Sequence, residues 1–155
     1  ADAVFALAFI SRTRVDSAPL AGAAFLLMAR GDSTKAAVAF VRAAEEVADA
    51  APVLLLAAAR VHAAQQREGA AIEIWKRVVE TFDKTPEAPE AELEWARLLR
   101  RRGDSKGAAL HLEHLILSWP ESAMLPQARH ELQLTRVSHE EFADAWQCTA
   151  MRSHA

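Results

Sequence analysis

The chain has 155 residues, 52% of them hydrophobic and 25% charged, and its net charge is −3 at pH 7. This length suffices for one domain with a continuous apolar core, and the balance of charge excludes the global basic field that draws proteins to nucleic acid. The single cysteine, Cys148, excludes an internal disulfide and a cysteine-based zinc site.

The abundance of alanine and leucine, with glycine and proline confined to spaced positions, predicts an all-α protein of about nine helices. The first is expected at 2–12; its apolar run, Ala3–Ile10, falls short of the roughly 20 residues that a membrane span needs. The others are expected from Ser17 to before Gly31, over Thr34–Ala50, Pro52–Gln65 and Glu68–Phe82, from beyond the Thr85–Pro89 break to Arg102, over Ser105–Ser118 and Ala123–Thr135, and from the capping box at Ser138.

An internal repeat is the strongest feature of the sequence. Ala36, Ala71, Ala108 and Ala143 follow one another at intervals of 35, 37 and 35 residues. A small residue in one helix lets the next pack close, and a large residue on the second helix fills the gap. Such a hairpin buries its apolar faces only when several stack. The matching groups are Ala36-Phe40-Ala43, Ala71-Trp75-Val78 and Ala108-Leu112-Leu115, preceded by Leu20-Ala24-Leu27, Leu55-Ala59-His62 and Trp95-Ala96-Leu99.

This pattern resembles the tetratricopeptide repeat (TPR) family. Gly103-Asp104, Ala108, Leu112, Leu115 and Pro120 match its motif best, followed by Gly31-Asp32, Ala36, Phe40 and Ala43, whereas the middle unit has Gln66 in place of the turn glycine. The resemblance implies a single right-handed α-solenoid of antiparallel helix pairs over 1–155. It divides into a partial upstream repeat helix (1–16), three repeats (17–51, 52–86 and 87–121) and a degenerate or capping repeat (122–155).

The sequence also departs from the TPR pattern. The units run slightly long, an extra turn is expected before Pro52, and alanine or leucine stands where TPRs often have tyrosine. Helical repeats outside the strict TPR family therefore stay open. The segment that begins at Trp119-Pro120 is similar to TPR proteins of bacterial cell envelopes, which gives a slight lean toward the periplasm or envelope.

The resemblance implies a concave groove that binds a protein or peptide. An apolar end grading into a cationic end would fit a partner with an acidic segment or a C-terminal carboxylate. The alternative is that the arginines near Arg101 serve the helix C-terminus and solubility. Phe25 occupies the place of an asparagine in the TPRs that clamp chaperone tails, which disfavours that partner. The groove positions are Phe25, Met28, Leu56, Arg60, Arg97 and Arg101.

Two sets of histidines are candidate chemical groups. His111 and His114, with His130 on the next helix, have spacing that a metal can share. We instead expect no metal site, because the apolar register places His111 at the boundary and points His114 away. His62 replaces an apolar residue of the repeat and is expected to be a satisfied core histidine, the alternative being a pH-sensitive position.

The remaining motifs favour no catalysis and no cofactor. Arg30-Gly31-Asp32-Ser33 spells an integrin-recognition tetrapeptide, but the repeat turn accounts for its Gly-Asp. No glycine-rich phosphate loop is present, and the serines occupy helix caps. Cys148 lies on an amphipathic last helix with no histidine on the same turn.

The sequence therefore predicts a non-catalytic protein-interaction module, a scaffold or adaptor, that binds a partner segment in its groove. One alternative is a structural subunit of a larger complex that packs through its ends and convex face. A second alternative is an enzyme or sensor domain built on a helical array. The apolar first helix, with Phe5 one period before Phe40, predicts an exposed N-terminal end and self-association there.

Overall fold

The computed structural model describes residues 19–136 of the chain, and within this range the regular structure is entirely helical. A short 3₁₀ turn, Ala48–Ala50, lies between the second and third α-helices. The helices are α1 (Pro19–Ala29), α2 (Ser33–Glu46), α3 (Ala51–Ala64), α4 (Glu68–Thr81), α5 (Glu87–Arg101), α6 (Ser105–Ser118) and α7, which covers 125–136 of the described residues.

Most predicted helix boundaries agree with the structure to within two residues. Two do not. The helix expected to reach Ala50 ends at Glu46, and the extra residues form the separate 3₁₀ turn. The break expected over 85–89 is shorter, because α5 begins at Glu87 and takes Pro89 into its first turn, where a missing backbone N–H costs little.

The three turns that join the two helices of each hairpin have the same backbone geometry. Gly31, Gln66 and Gly103 all have a positive φ, of 79°, 58° and 82°. At each turn the N–H of the next residue donates to a carbonyl five residues earlier, as at a Schellman C-cap: Asp32 to Leu27, Arg67 to His62 and Asp104 to Leu99. The repeat seen in the sequence therefore corresponds to a repeated turn.

Side-chain caps begin the helix after two of these turns. The Asp32 carboxylate accepts from the Lys35 N–H at 3.2 Å, and the Asp104 carboxylate accepts from the Gly107 N–H at 2.8 Å. Arg67 holds the same position before α4 and makes no side-chain cap. The middle turn thus lacks both the glycine and the aspartate of the other two, and it still adopts their conformation.

The described residues divide into two compact units, with the boundary between Ala91 and Glu92 inside α5. In the first unit, α1 packs on α2, α2 on α3 and α3 on α4. Ala24 and Ala59 are fully buried at equivalent places in α1 and α3, and the large side chains of Phe40 and Trp75 are buried in α2 and α4. Close approach at a small residue and filling by a large one is the packing that the repeat predicts.

The second unit has a core that α5, α6 and α7 share. Ala96 and Leu112 occupy the small and large positions of the third hairpin, and Ala128 and Leu132 contribute from α7. The fold class is therefore all-α, built from consecutive helical hairpins. The predicted first and ninth helices lie outside the described residues, and the solenoid stays a prediction. Over 19–136 no helix combines the length and the apolar character needed to cross a bilayer.

Replacing Gln66 by glycine is expected to stabilise the protein. A left-handed conformation costs a residue with a Cβ about 1 kcal/mol relative to glycine, and Gln66 is exposed and holds φ at 58°. Urea unfolding should show a free energy of unfolding higher by about 1 kcal/mol. The matched variant Gly103→Ala should lower it by a similar amount, because φ is 82° there. A loss of stability in Gln66→Gly would contradict this account of the turn.

Candidate functional site

The first two predicted groove residues lie on α1 and are half-buried. Met28 sits in the last turn of α1, next to the chain reversal. Phe25 contacts Phe40 of α2 edge to face, with ring centroids 5.1 Å apart. An aromatic pair of this kind stabilises the hairpin itself, so Phe25 has a structural role that its groove assignment did not include.

Two further groove residues are engaged inside the protein. Leu56 is only 3% exposed and belongs to the core of α3, so its assignment as a groove surface was wrong. Leu56 lies in the second turn of a helix that is apolar nearly all round, which explains the burial. The Arg60 guanidinium forms an ion pair with Glu90 of α5, which fixes the Arg60 side chain and offsets its charge.

The predicted cationic end of the groove is largely neutralised. Arg97 donates to Glu131 of α7 at 3.2 Å and to Glu94 at 3.4 Å. Arg100 pairs with the second oxygen of Glu131 at 2.6 Å. Arg101, by contrast, is exposed and has no ion-pair partner among residues 19–136. Of the predicted arginines in the groove, Arg101 alone keeps a charge that an external carboxylate could meet unopposed.

A different group of side chains forms the most unusual polar site in the described chain. Glu92 of α5 is 2% exposed, and its Oε1 atom lies 3.0 Å from Nδ1 of His111 and 2.8 Å from Nδ1 of His114. The other oxygen, Oε2, is buried without a hydrogen-bond partner. An ionised carboxylate only accepts hydrogen bonds, so with Glu92 ionised both rings carry their proton on Nδ1.

Two tryptophans hold the histidine rings of this Glu92 cluster. The His111 ring lies over Trp95 with centroids 3.9 Å apart, and the His114 ring meets the edge of Trp119 at 5.3 Å. The sequence correctly placed His111 at the boundary of the core. It pointed His114 away from the core, and 52% of that side chain is exposed; what the sequence did not reveal is that Nδ1 of this ring still reaches the buried carboxylate of Glu92.

The internal repeat supplies the signal that would have identified Glu92. Leu20 and Leu55 occupy the equivalent positions of the first two hairpins, and Leu55 is fully buried. Leucine therefore meets the packing requirement at this position. A buried carboxylate loses hydration that its partners must replace, so the third hairpin contains a group that the fold does not require.

The cluster does not have the geometry of a metal site. Within 19–136 no three histidine, cysteine, aspartate or glutamate side chains are arranged to hold an ion. His130 on α7 is exposed and takes no part in the contacts of Glu92. The arrangement orients two imidazole rings through their Nδ1 atoms instead.

His62 is the second polar departure from the repeat. It is 7% exposed, and Leu27 and Leu99 hold the equivalent positions. Burial of the ring lowers the pKa of His62 from its usual value, and the positive charge of Arg67 lowers that pKa further. Its Nδ1 atom is buried without a hydrogen-bond partner, so the expectation of a satisfied core histidine was wrong.

Comparisons with protein-family models, curated proteins and solved structures found no significant match for this chain.

Removing both histidines of the Glu92 cluster should strongly destabilise the protein. A buried carboxylate that loses both of its hydrogen-bond donors keeps the cost of its lost hydration, about 3 kcal/mol. We expect His111→Ala/His114→Ala to lose about that much in urea unfolding, and Glu92→Leu to be neutral or stabilising. The triple variant should recover most of the loss. Equal losses with and without Glu92 would show that the histidines act by packing alone.

The lowered pKa of His62 makes stability depend on pH. As pH falls, the unfolded chain takes up the proton before the folded one, so unfolding gains protons and the folded state loses stability. This contribution is complete above about pH 6.5, the ordinary pKa of histidine, and is lost as pH falls below it. Unfolding free energies measured between pH 5 and 8 should have a smaller slope in His62→Leu. An unchanged slope would overturn this assignment.

Proposed function

We propose that this protein is a non-catalytic protein-interaction module, a TPR-like right-handed solenoid of helical hairpins. The repeated turn supports the proposal, because three equivalent reversals at nearly constant spacing are what a stacked array uses.

The observation that carries the proposal is the exposure of one side of α1, which we name the α1 end face. Leu26 is 50% exposed, whereas its equivalents Val61 and Leu98 are 6% and 1% exposed. Along α3 the corresponding positions are all buried, and α2 packs on α3. The α1 end face consists of Pro19, Gly22, Ala23 and Leu26, all exposed.

This end face fits an amphipathic helix. Its residues lie at spacings of three and four, so they form one apolar stripe along α1. Its small residues allow a close approach, as Ala57 and Ala58 do on α3. The partner would supply what the preceding helix supplies to the later hairpins. Binding at this face would agree with the alternative of a subunit that packs through its ends.

The groove remains the second candidate because of Arg101. Its exposed, unpaired guanidinium at the end of α5 can bind a carboxylate in two-pronged fashion. A peptide with a C-terminal carboxylate is the ligand that this guanidinium favours.

Selection from two phage-displayed libraries distinguishes the α1 end face from the groove as the binding site. One library presents amphipathic helices and the other presents peptides with acidic C-termini. Helical binders should lose most of their affinity for Leu26→Lys and keep it for Arg101→Glu, since a lysine in the stripe must be desolvated. The matched control is Val38→Lys, which adds the same charge at a position 48% exposed on α2.

If peptides with acidic C-termini are selected and lose their affinity only for Arg101→Glu, the binding site is the groove and not the α1 end face. If neither library yields a binder whose affinity responds to these substitutions, the proposed function is wrong.

A further inference from the structure

The outer side of α6 carries an apolar stripe that the other hairpins lack. Leu110 is 59% exposed and Leu117 is 80% exposed. Between them lies His114, with 52% of its side chain exposed. These three residues, at spacings of four and three, lie on one helical face, and we name them the α6 stripe.

The equivalent helices show that folding does not need this stripe. At the three positions α2 has Val38, Arg42 and Glu45, and α4 has Glu73, Arg77 and Glu80. Charged residues are the ordinary occupants of a solvated helix face. Five of these six residues are charged, and Val38 is the exception. The third hairpin has two leucines and a histidine instead, and Leu117 replaces a glutamate in both cases. Large exposed apolar side chains grouped in this way mark an interaction surface.

Contacts with neighbouring side chains of the protein hold the central residue of the α6 stripe in place. His114 reaches Glu92 with Nδ1 at 2.8 Å and rests against the edge of Trp119. Next to it, Glu113 forms an ion pair with Arg136 of α7 at 2.8 Å. The central part of the surface therefore loses little conformational freedom on binding, which lowers the entropic cost of association.

We propose that the α6 stripe pairs with the same stripe of a second copy of this chain, with the two α6 helices antiparallel. A two-fold axis between residues 113 and 114 sets Leu110 of one copy opposite Leu117 of the other. The same axis brings Lys106, in the first turn of α6, toward Glu121, just beyond its end.

The charges at the two ends of α6 favour a second copy of this chain as the partner of the α6 stripe. Lys106 and Glu121 are both exposed, and neither has an ion-pair partner among residues 19–136. In the antiparallel pairing each positive end meets a negative end, twice, and the leucine pairs lie between these charges and the His114 side chains near the axis. A parallel pairing would set like charges side by side.

The size of the stripe limits the affinity. Stable dimers bury about 800 Å² per partner, and one helical face with two exposed leucines provides less. We therefore expect a weak, reversible dimer that dissociates at concentrations of about 10 to 100 μM.

Sedimentation equilibrium over a concentration series tests the surface. Leu117→Glu, which installs the residue found in α2 and α4, should weaken dimerisation at least about tenfold, since buried apolar anchors dominate small interfaces. Val38→Glu is the matched control; it should leave the dimerisation constant unchanged. Circular dichroism should show both variants folded, because their sibling positions accept glutamate.

A charge exchange tests the register. Lys106→Glu and Glu121→Lys should each weaken the dimer, and the double variant should restore it toward the wild-type constant, because the two residues meet across the axis. Leu26→Lys should leave it unchanged, which separates this dimer from any association through the α1 end face.

A wild-type chain that stays monomeric above about 1 mM would overturn the proposal. So would a dimer that tolerates Leu117→Glu. Failure of the charge exchange to restore pairing would overturn the antiparallel register.

Discussion

The architecture depends on one backbone constraint: after each first helix the chain must reverse through a left-handed residue. Gly31, Gln66 and Gly103 meet it at φ of 79°, 58° and 82°. A turn that short sets two helices antiparallel and fixes which faces meet. It also explains why the small positions, Ala24, Ala59 and Ala96, stay buried in all three hairpins. A larger side chain there would separate helices that the turn holds together.

A repeated turn makes each hairpin a control for the others. If leucine fills one position in two of the hairpins, packing does not require a glutamate or histidine at that position in the remaining hairpin. Glu92 and His62 stand out on this comparison, and so does the exposed Leu117, because its siblings are glutamates. The internal repeat therefore separates residues that maintain the fold from residues that the fold does not require.

The sequence predicted the hairpins well because their determinants are local. Turn residues, caps and apolar spacing act within a few residues of one another, so α6 was predicted over the bounds that the structure gives it, Ser105–Ser118. Ion pairs between helices are not local. Arg97 meets Glu131 and Arg60 meets Glu90 across roughly one repeat, and either arginine could have met other acids. The groove assignment did not include these ion pairs, because a family register gives a position and no information on its neighbours.

Glu92 was missed for a related reason. It stands in a run of alternate acidic residues, which on a helix do not lie on one face, and only its alignment with Leu20 and Leu55 reveals that it faces inward. Its burial gives the third hairpin a property that the others lack, since its Oε1 accepts from the ring that lies at the centre of the α6 stripe. A leucine at position 92 would pack as well and leave His114 free to rotate. The buried carboxylate sacrifices some stability, and what it provides in return is an ordered imidazole between two exposed leucines. The core substitution and the surface substitution are therefore best understood as one adaptation, in which the inside of the hairpin prepares its outside for contact.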